Sequence, residues 1–430
     1  MRPRVGLLTF GCRVNQYETQ MMRGLLASDY DLVEGEAEVY LVNACTVTSL
    51  AERKARQAIR RLQREHPEGK IILIGCLADA VGHGVSQIRG VDLLGGNAWK
   101  GRINEAVCRA LAGERGMLPA IAPLPLAQEQ IQHHPGRVRA FLKIQDGCDL
   151  SCTFCRTTQI RGPSRSKPIA DAVAEARSLV ESGYPELVLT GINLAQYGPP
   201  NGDLAMLVRE IGKLDELRRL RLGSINPAGI TEQLVGAAAS ERCVCPHFHI
   251  PLQSGDDRIL RRMKRNYTAS FYLSRIELIR RFIPEATFGA DVIVGFPGES
   301  ESAFARTCSI VEAVGFVNLH IFRYSRRVGT RAEDFPNIIP AKEMRDRVER
   351  ITKLARTVRQ MRFDAFLGQE EDVLVEEQRD GHWRGYTRGY VDSVLVSEDG
   401  ISVGDEIRIR VVRANDAYLE GVKNDKSSVF

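Results

Sequence analysis

No run of about 18 apolar residues, long enough to span a membrane, occurs in this 430-residue sequence. Its opening stretch, MRPRVGLLTF, turns polar within a few residues, so a secretory h-region is not expected and the compartment is expected to be the cytoplasm. An excess of one charge is also missing. Lys and Arg number 59 against 54 Asp and Glu, and the resulting +5 permits an anionic partner without requiring one. The 43% hydrophobic content can build a core in each of about three domains. Ten cysteines in a reducing compartment point to metal ligation or catalysis rather than to a disulfide framework.

A second absence is local. Gly147 to Cys155 reads GCDLSCTFC, three thiols spaced by three and then two residues, with no fourth cysteine beside them. Four would suggest a closed metal site, and three leave a ligand position open.

The first hundred residues repeat one phrase three times: an apolar run, a small residue, then a cysteine. The copies are VGLLTFGC ending at Cys12, EVYLVNAC ending at Cys45 and KIILIGC ending at Cys76. Helix-like stretches such as SLAERKARQAIRRLQREH separate them, so right-handed βαβ units and a parallel sheet are expected. All strand carboxyl ends of such a sheet lie along one edge, where the three cysteines should meet. Residues 116–136 are Pro-rich and read as a linker after this first domain, 1–115. A second β/α series follows over 137–365, with six strand candidates: FLKIQ, ELVLTG, RLRLGS, HFHIPL, ADVIVG and LHIFRY. Six repeats fit a partial β/α barrel, whose chemistry belongs on the loops after its strands. The last stretch, 366–430, changes to short alternating runs, an all-β module plausible as a small barrel. From Gly368 to Phe430 it carries 8 Lys and Arg against 14 Asp and Glu, near −6 against +11 for the remainder.

Cys148, Cys152 and Cys155 follow the first barrel strand and so sit at the barrel mouth. Two metal readings stay open on the residues alone. A [4Fe-4S] cubane with one iron lacking a protein ligand would offer a binding place for a substrate or cofactor. Zinc completed by a distant residue such as His247 or His249 is the plainer reading.

The C-x3-C-x2-C loop after the first strand of a six-fold barrel resembles the signature of the radical S-adenosylmethionine enzymes. TFGCRVNQYETQ around Cys12, the later Cys45 and Cys76, RGPSRS, HIPLQSGDDRILRRMKRNYT and DVIVGFPGE together resemble the methylthiotransferases of that superfamily. The terminal module is similar to that family's TRAM domain. CRVNQYE looks most like the enzymes acting on threonylcarbamoyladenosine in tRNA, next to the anticodon. CRTTQIRG departs from the commoner pattern in lacking a proline before Arg-Gly.

The resemblance implies two [4Fe-4S] clusters, one held by Cys148, Cys152 and Cys155 and one by Cys12, Cys45 and Cys76. S-adenosylmethionine would serve both as methyl donor to a sulfur and as source of the radical that activates C2 of the adenine. Thr190, Gly191, Asn193, Gln253, Ser254, Gly295 and Gly298, at strand ends of the barrel, are its expected binding residues. Partners would be the tRNA anticodon stem-loop, a reducing electron donor and a sulfur source. RNA contacts are expected from Arg161, Arg165 and Lys167 near the mouth and from Arg384 and Arg388 in the terminal module, with Trp383, Tyr386 and Tyr390 for stacking.

Bland readings accompany these. RRLQREH at Arg60 reads as a solvated helix face, Cys243 and Cys245 as structural, Cys108 and Cys308 as ordinary packing residues, and Asp256 as a helix cap. The acidic terminal module favours a rival with a basic substrate, an aspartate of ribosomal protein S12. Isopentenyladenosine in tRNA is another alternative, and a zinc-stabilised, non-catalytic RNA-binding protein is the rival of a different class.

Overall fold

The computed structural model describes residues 1–46, 49–84, 88–198, 202–396 and 400–424. The three apolar phrases of the first domain form strands β1 (Arg4–Phe10), β3 (Val39–Ala44) and β4 (Lys70–Ile74), joined by β2 (Asp31–Val33), β5 (Leu93–Gly95) and β6 (Gly116–Met117). The sheet is wholly parallel in the order β2-β1-β3-β4-β5-β6. Helices cover both faces: α1 (Arg13–Leu26) and α4 (Ile103–Leu111) on one, α2 (Ser49–Glu65) and α3 (Cys76–Gly82) on the other. That double cover is why the strands read as continuous apolar runs. Residues 116–117, placed in the linker on composition, instead extend this sheet by pairing with β5. The rest of the linker is packed rather than loose, with Leu126, Glu129 and Ile131 buried.

The central domain begins with β7 (Arg139–Lys143), and a small antiparallel pair, β8 (Gln145–Asp146) and β9 (Arg165–Ser166), brackets α5 (Thr157–Arg161). Then α6 (Ile169–Glu181), β10 (Glu186–Thr190), α7 (Leu204–Gly212), β11 (Arg219–Arg221), α8 (Glu232–Ser240) and β12 (His247–His249) alternate. The series closes with α9 (Asp257–Arg262), α10 (Ala269–Phe282), β13 (Thr287–Val294), α11 (Glu301–Val314), β14 (Asn318–Arg323) and the long α12 (Ala341–Asp364). The side chains of Asp203, Thr231, Asp256, Thr268 and Ser300 cap α7 to α11, each accepting from a backbone N–H in the first turn. Two parallel three-stranded sheets, β11-β10-β7 and β12-β13-β14, are joined by the bridges Leu220 to Val244 and Ser224 to His249. The six strands thus form an open barrel whose edges are β7 and β14. Helix α1 of the first domain packs against β7, carrying Tyr17 and Met21 into the central core.

The chain ends in a closed five-stranded barrel of β15 (Glu370–Arg379), β16 (His382–Thr387), β17 (Asp392–Leu395), β18 (Glu406–Ala414) and β19 (Leu419–Lys423). It sits against the amino ends of the central strands, away from the mouth. Arg219, fully buried at the start of β11, donates to Glu406 (2.7 Å), to the Tyr386 carbonyl (2.8 Å) and to the Asp372 carbonyl (2.6 Å). Arg139 at the start of β7 pairs with Glu376, Thr287 at the start of β13 donates to Gly389, and Asn318 at the start of β14 donates to Tyr390. This placement corrects part of the expected RNA surface. Arg388 donates to the carbonyls of Arg218, Arg242 and Val244, so it anchors one domain on the other. Tyr390 lies against the guanidiniums of Arg139 and Arg221, and Tyr386 stacks on Tyr390 at 4.9 Å, so neither ring is free to stack on a base. Arg384 is half-buried over Tyr418.

Candidate functional site

Strands β1, β3 and β4 run in register, with Phe10 beside Ala44 and Asn43 beside Ile74, so their carboxyl ends are level. Cys12, Cys45 and Cys76 follow those ends within two residues and converge there. Gly11 makes this possible. Its φ is +126°, and a Cβ on it would fall 2.2 Å from the Cys45 Cβ. The Cys45 thiol hydrogen-bonds to both neighbours, holding Cys12 down to about 7 and Cys76 down to about 5, with Arg161 adding to the effect against burial. Cys76 gains a further push from the charge of Lys100. The same two hydrogen bonds, with burial, push the Cys45 thiol well above its ordinary value, so the thiolate, the ligand form, is favoured at Cys12 and Cys76 and the thiol at Cys45.

Beneath this triad lies a buried ionic network. Glu18, on the core face of α1, accepts from Lys100, from Lys143 at 2.8 Å and from Arg161 at 2.8 Å. Asp146 accepts from Lys143 at 2.8 Å and from Arg161 at 2.9 Å, and Glu129 of the linker accepts from Lys143 at 2.7 Å. Burial alone would raise the Glu18 carboxyl, but Arg161, Lys100 and Lys143 outweigh it and hold it well below the usual range. Arg161, expected to meet RNA, is thus 3% exposed and joins the N-terminal domain to the barrel. Lys167 is likewise fully buried on Glu175 and the Glu129 carbonyl, beyond reach of any phosphate. Arg165 is half-buried and donates to the Leu124 carbonyl at 2.9 Å.

The barrel triad sits on the loop between β8 and α5. Gly147 has φ +72° and lies so close to Pro163 that a Cβ would come 1.9 Å from its carbonyl oxygen. Asn193 Nδ2 is 3.8 Å from Cys148 Sγ, Arg265 Nη1 is 3.2 Å from Cys152 Sγ, and Thr157 Oγ1 is 3.0 Å from Cys155 Sγ. Gln145, not singled out in the sequence, ties this loop to the next strand end. Its Oε1 accepts from Ile192 and Asn193 N–H, and its Nε2 donates to the Gly147 carbonyl and Ser164. The signal for it was its position, two residues after β7 at a barrel mouth.

The remaining expected cofactor residues separate. Thr190 and Gly191 end β10 beside Gln145, and Gln253 lines the cavity described below. Ser254 is buried, accepting from the Asp256 N–H. Gly295 donates to Glu299 and Gly298 to the Asn337 carbonyl, so both amides serve their own loop.

One cavity of about 720 Å³ joins all three cysteines of the first triad to Cys155 of the barrel triad. Its walls include Cys12, Cys45 and Cys76 from the first domain and Phe154, Cys155 and Thr157 from the barrel loop. The donor sets bear on which metal fits. Zinc at about 2.3 Å from each thiolate would draw sulfurs to within about 4 Å of one another. Among the described residues, the one His/Cys/Asp/Glu group with all ligand atoms within 4.8 Å is His249, Asp291 and His320, so the sulfurs of neither cysteine triad are that close. A cluster of several irons, with one thiolate per iron, does not need all three sulfurs that close. His247 and His249, the expected completing ligands for zinc, are hydrogen-bonded to Thr287 and paired with Asp291.

Beside the cavity a groove of about 540 Å³ is lined by Arg53, Arg56 and Arg60 of α2 together with Arg156, Arg326 and Arg327 of the barrel side. The solvated face read at Arg60 is therefore one wall of a basic cleft, a feature visible only when both domains are assembled.

Residues 142–311 match the Radical SAM superfamily, and residues 4–96 match the Uncharacterized protein family UPF0004. The threonylcarbamoyladenosine tRNA methylthiotransferase of Chlamydia pneumoniae is 36% identical, with 96% of this chain and 97% of that one covered. The enzyme of the same description from Thermotoga maritima is 35% identical over 95% and 94%. A tRNA-2-methylthio-N(6)-dimethylallyladenosine synthase of Cereibacter sphaeroides is also 35% identical, over 96% and 97%. Among solved structures, the radical S-adenosylmethionine methyltransferase TsrM of Kitasatospora setae shares the fold, with a TM-score of 0.57 at 13% identity, over 77% of this chain and 75% of that one. A cavity shared by Cys12, Cys45, Cys76 and Cys155, on a partial barrel followed by a small β-barrel, agrees with the sequence relatives: the chain belongs to the radical SAM family of tRNA methylthiotransferases.

Proposed function

We propose that this protein adds a methylthio group to C2 of N6-threonylcarbamoyladenosine in tRNA, next to the anticodon. The observation that carries the reading is the single cavity shared by Cys12, Cys45 and Cys76 with Cys155, because donor and acceptor must meet without crossing solvent. Cys148, Cys152 and Cys155 would hold one [4Fe-4S] cluster and Cys12, Cys45 and Cys76 another, and these groups with S-adenosylmethionine supply the radical and sulfur chemistry that side chains lack. The chain's own part is placement. Gln145 and Arg265 fix the barrel loop, Glu18 and Arg161 hold the first triad over the mouth, and Phe154, Ile293, Ile321 and Phe322 give the cavity apolar walls for a base.

The anticodon loop would approach along the arginine groove, where sequence-independent phosphate contacts are available. An adenosine extruded from the loop then reaches the cavity. The reductant and the immediate sulfur source remain to be supplied by other proteins or small molecules. Part of the acidic excess of the terminal module serves docking, since Glu376 and Glu406 are engaged by Arg139 and Arg219 of the central domain.

Mass spectrometry of tRNA nucleosides from cells with and without the gene tests the reading. Loss of methylthio-threonylcarbamoyladenosine is expected, and loss of methylthio-isopentenyladenosine instead would transfer the assignment to the second group of relatives. In the reconstituted protein, Cys152→Ala is expected to stop formation of 5′-deoxyadenosine, while Cys45→Ala is expected to keep some of it and stop methylthio transfer. Normal transfer by Cys45→Ala would make the first triad structural.

A further inference from the structure

The charge lining the cavity carries an inference about how the base is chosen. Five arginines, Arg53, Arg156, Arg161, Arg323 and Arg327, face the cavity, and its one carboxylate is Asp291. Asp291 is occupied by His249 at 3.2 Å and His320 at 3.0 Å. Three of the arginines are also occupied. Arg161 is buried on Glu18 and Asp146, Arg156 donates to the Val328 carbonyl at 2.9 Å, and Arg327 pairs with Glu52 at 3.5 Å. Arg53 and Arg323 differ: both are exposed side chains on the cavity wall with no carboxylate partner among the described residues. They come from opposite sides, Arg53 from α2 of the first domain and Arg323 from the end of β14.

We propose that Arg53 and Arg323 form a two-sided clamp for the free carboxylate of the threonyl group, and so select the acidic modified adenosine over a neutral one. This rests on the reading that threonylcarbamoyladenosine is the substrate. The threonylcarbamoyl group ends in an ionised carboxylate, whereas an isopentenyl group on the same nitrogen is neutral and apolar. A guanidinium recognises a carboxylate through two parallel N–H···O bonds, and a neutral group in its place leaves the cation desolvated and unpaired. Discrimination therefore arises twice, by attraction to the acid and by rejection of the neutral analogue.

Three anions compete for the same arginines: the threonyl carboxylate, the RNA phosphates and the carboxylate of S-adenosylmethionine. The test separates them. Anisotropy titrations of the reconstituted full chain would use three anticodon stem-loops, bearing threonylcarbamoyladenosine, its methyl ester, or isopentenyladenosine. The wild type is expected to bind the acid about tenfold tighter than the ester. Arg53→Gln and Arg323→Gln are each expected to reduce that ratio toward one, chiefly by weakening the acid, and Arg323→Lys to restore part of it. The ratio is internal to each variant, so partial unfolding shifts both affinities together and leaves it readable. Equal weakening toward all three RNAs would mean phosphate contact and overturn the clamp. Loss of S-adenosylmethionine binding without RNA would assign the arginines to the cofactor and also overturn it, as would a wild type indifferent to esterification. A wild type that binds and modifies only the isopentenyl RNA would instead sink the substrate reading itself.

Discussion

Glu18 shows how much a single side chain can organise. It lies on the apolar stripe of α1, with Val14, Tyr17 and Met21, yet holds Lys100, Lys143 and Arg161 together from three parts of the chain. Removing one partner of a buried ionic group leaves the others charged and unpaired, which costs about 3–5 kcal/mol. Glu18→Gln is therefore expected to lower the melting temperature of the cluster-free protein markedly; an unchanged melt would mean the network is dispensable. At this scale the sequence was legible where chemistry dictates spacing. The six cysteines, and the glycines before Cys12, Cys76 and Cys148, carry their own signal. Arg161 and Lys167 did not, because a cation in a sequence shows its charge but not its partner. Glu18 lies 143 residues from Arg161, and the available clue was only a carboxylate among Val14, Tyr17 and Met21 on one helix face.

At the scale of elements, the apolar runs of the first sheet and the six strands of the barrel were readable because parallel strands covered on both faces need continuous hydrophobic stretches. RLRLGS was the exception in character: Arg219 and Arg221 alternate with leucine, and both guanidiniums are buried on Glu186 and the terminal barrel. The last barrel has a titrating element of its own. Burial, and then the neighbouring Asp372 charge, push the Glu371 carboxyl on β15 up to about 7, with Arg219 opposing. A carboxyl raised in the folded state favours folding while protonated, so its contribution is lost as pH rises from the ordinary carboxylate range through about 7. Melting of the cluster-free protein is expected to fall between pH 5.5 and 7.5 by more than in Glu371→Gln. Parallel pH profiles for the two proteins would count against the assignment.

For the whole molecule, the docking of three domains was the part hidden from the sequence. Neither the anchoring of Arg388 on the central domain nor the convergence of Arg53, Arg60 and Arg326 on one groove follows from local pattern, since each joins residues from separate domains. Arg219 is one fastening of the terminal barrel, through one carboxylate and two carbonyls. Arg219→Ala is expected to weaken that docking by about 2–5 kcal/mol. Limited proteolysis near Gly368 would then release the barrel, while retained resistance would show that Arg139, Arg221 and Arg388 suffice.

Seating that small barrel on the amino ends has a further effect on traffic. Tyr390 closes the base of the central barrel, with its ring among Arg139, Arg221 and His247 and its hydroxyl on Arg13, the residue after Cys12. The central barrel is thus a dead end rather than a conduit. Substrates and products then have the carboxyl side, where the cysteine triads lie, as their way in and out. On the proposed docking, a bound RNA would stand in that doorway, and spent small molecules would then exchange between RNA visits.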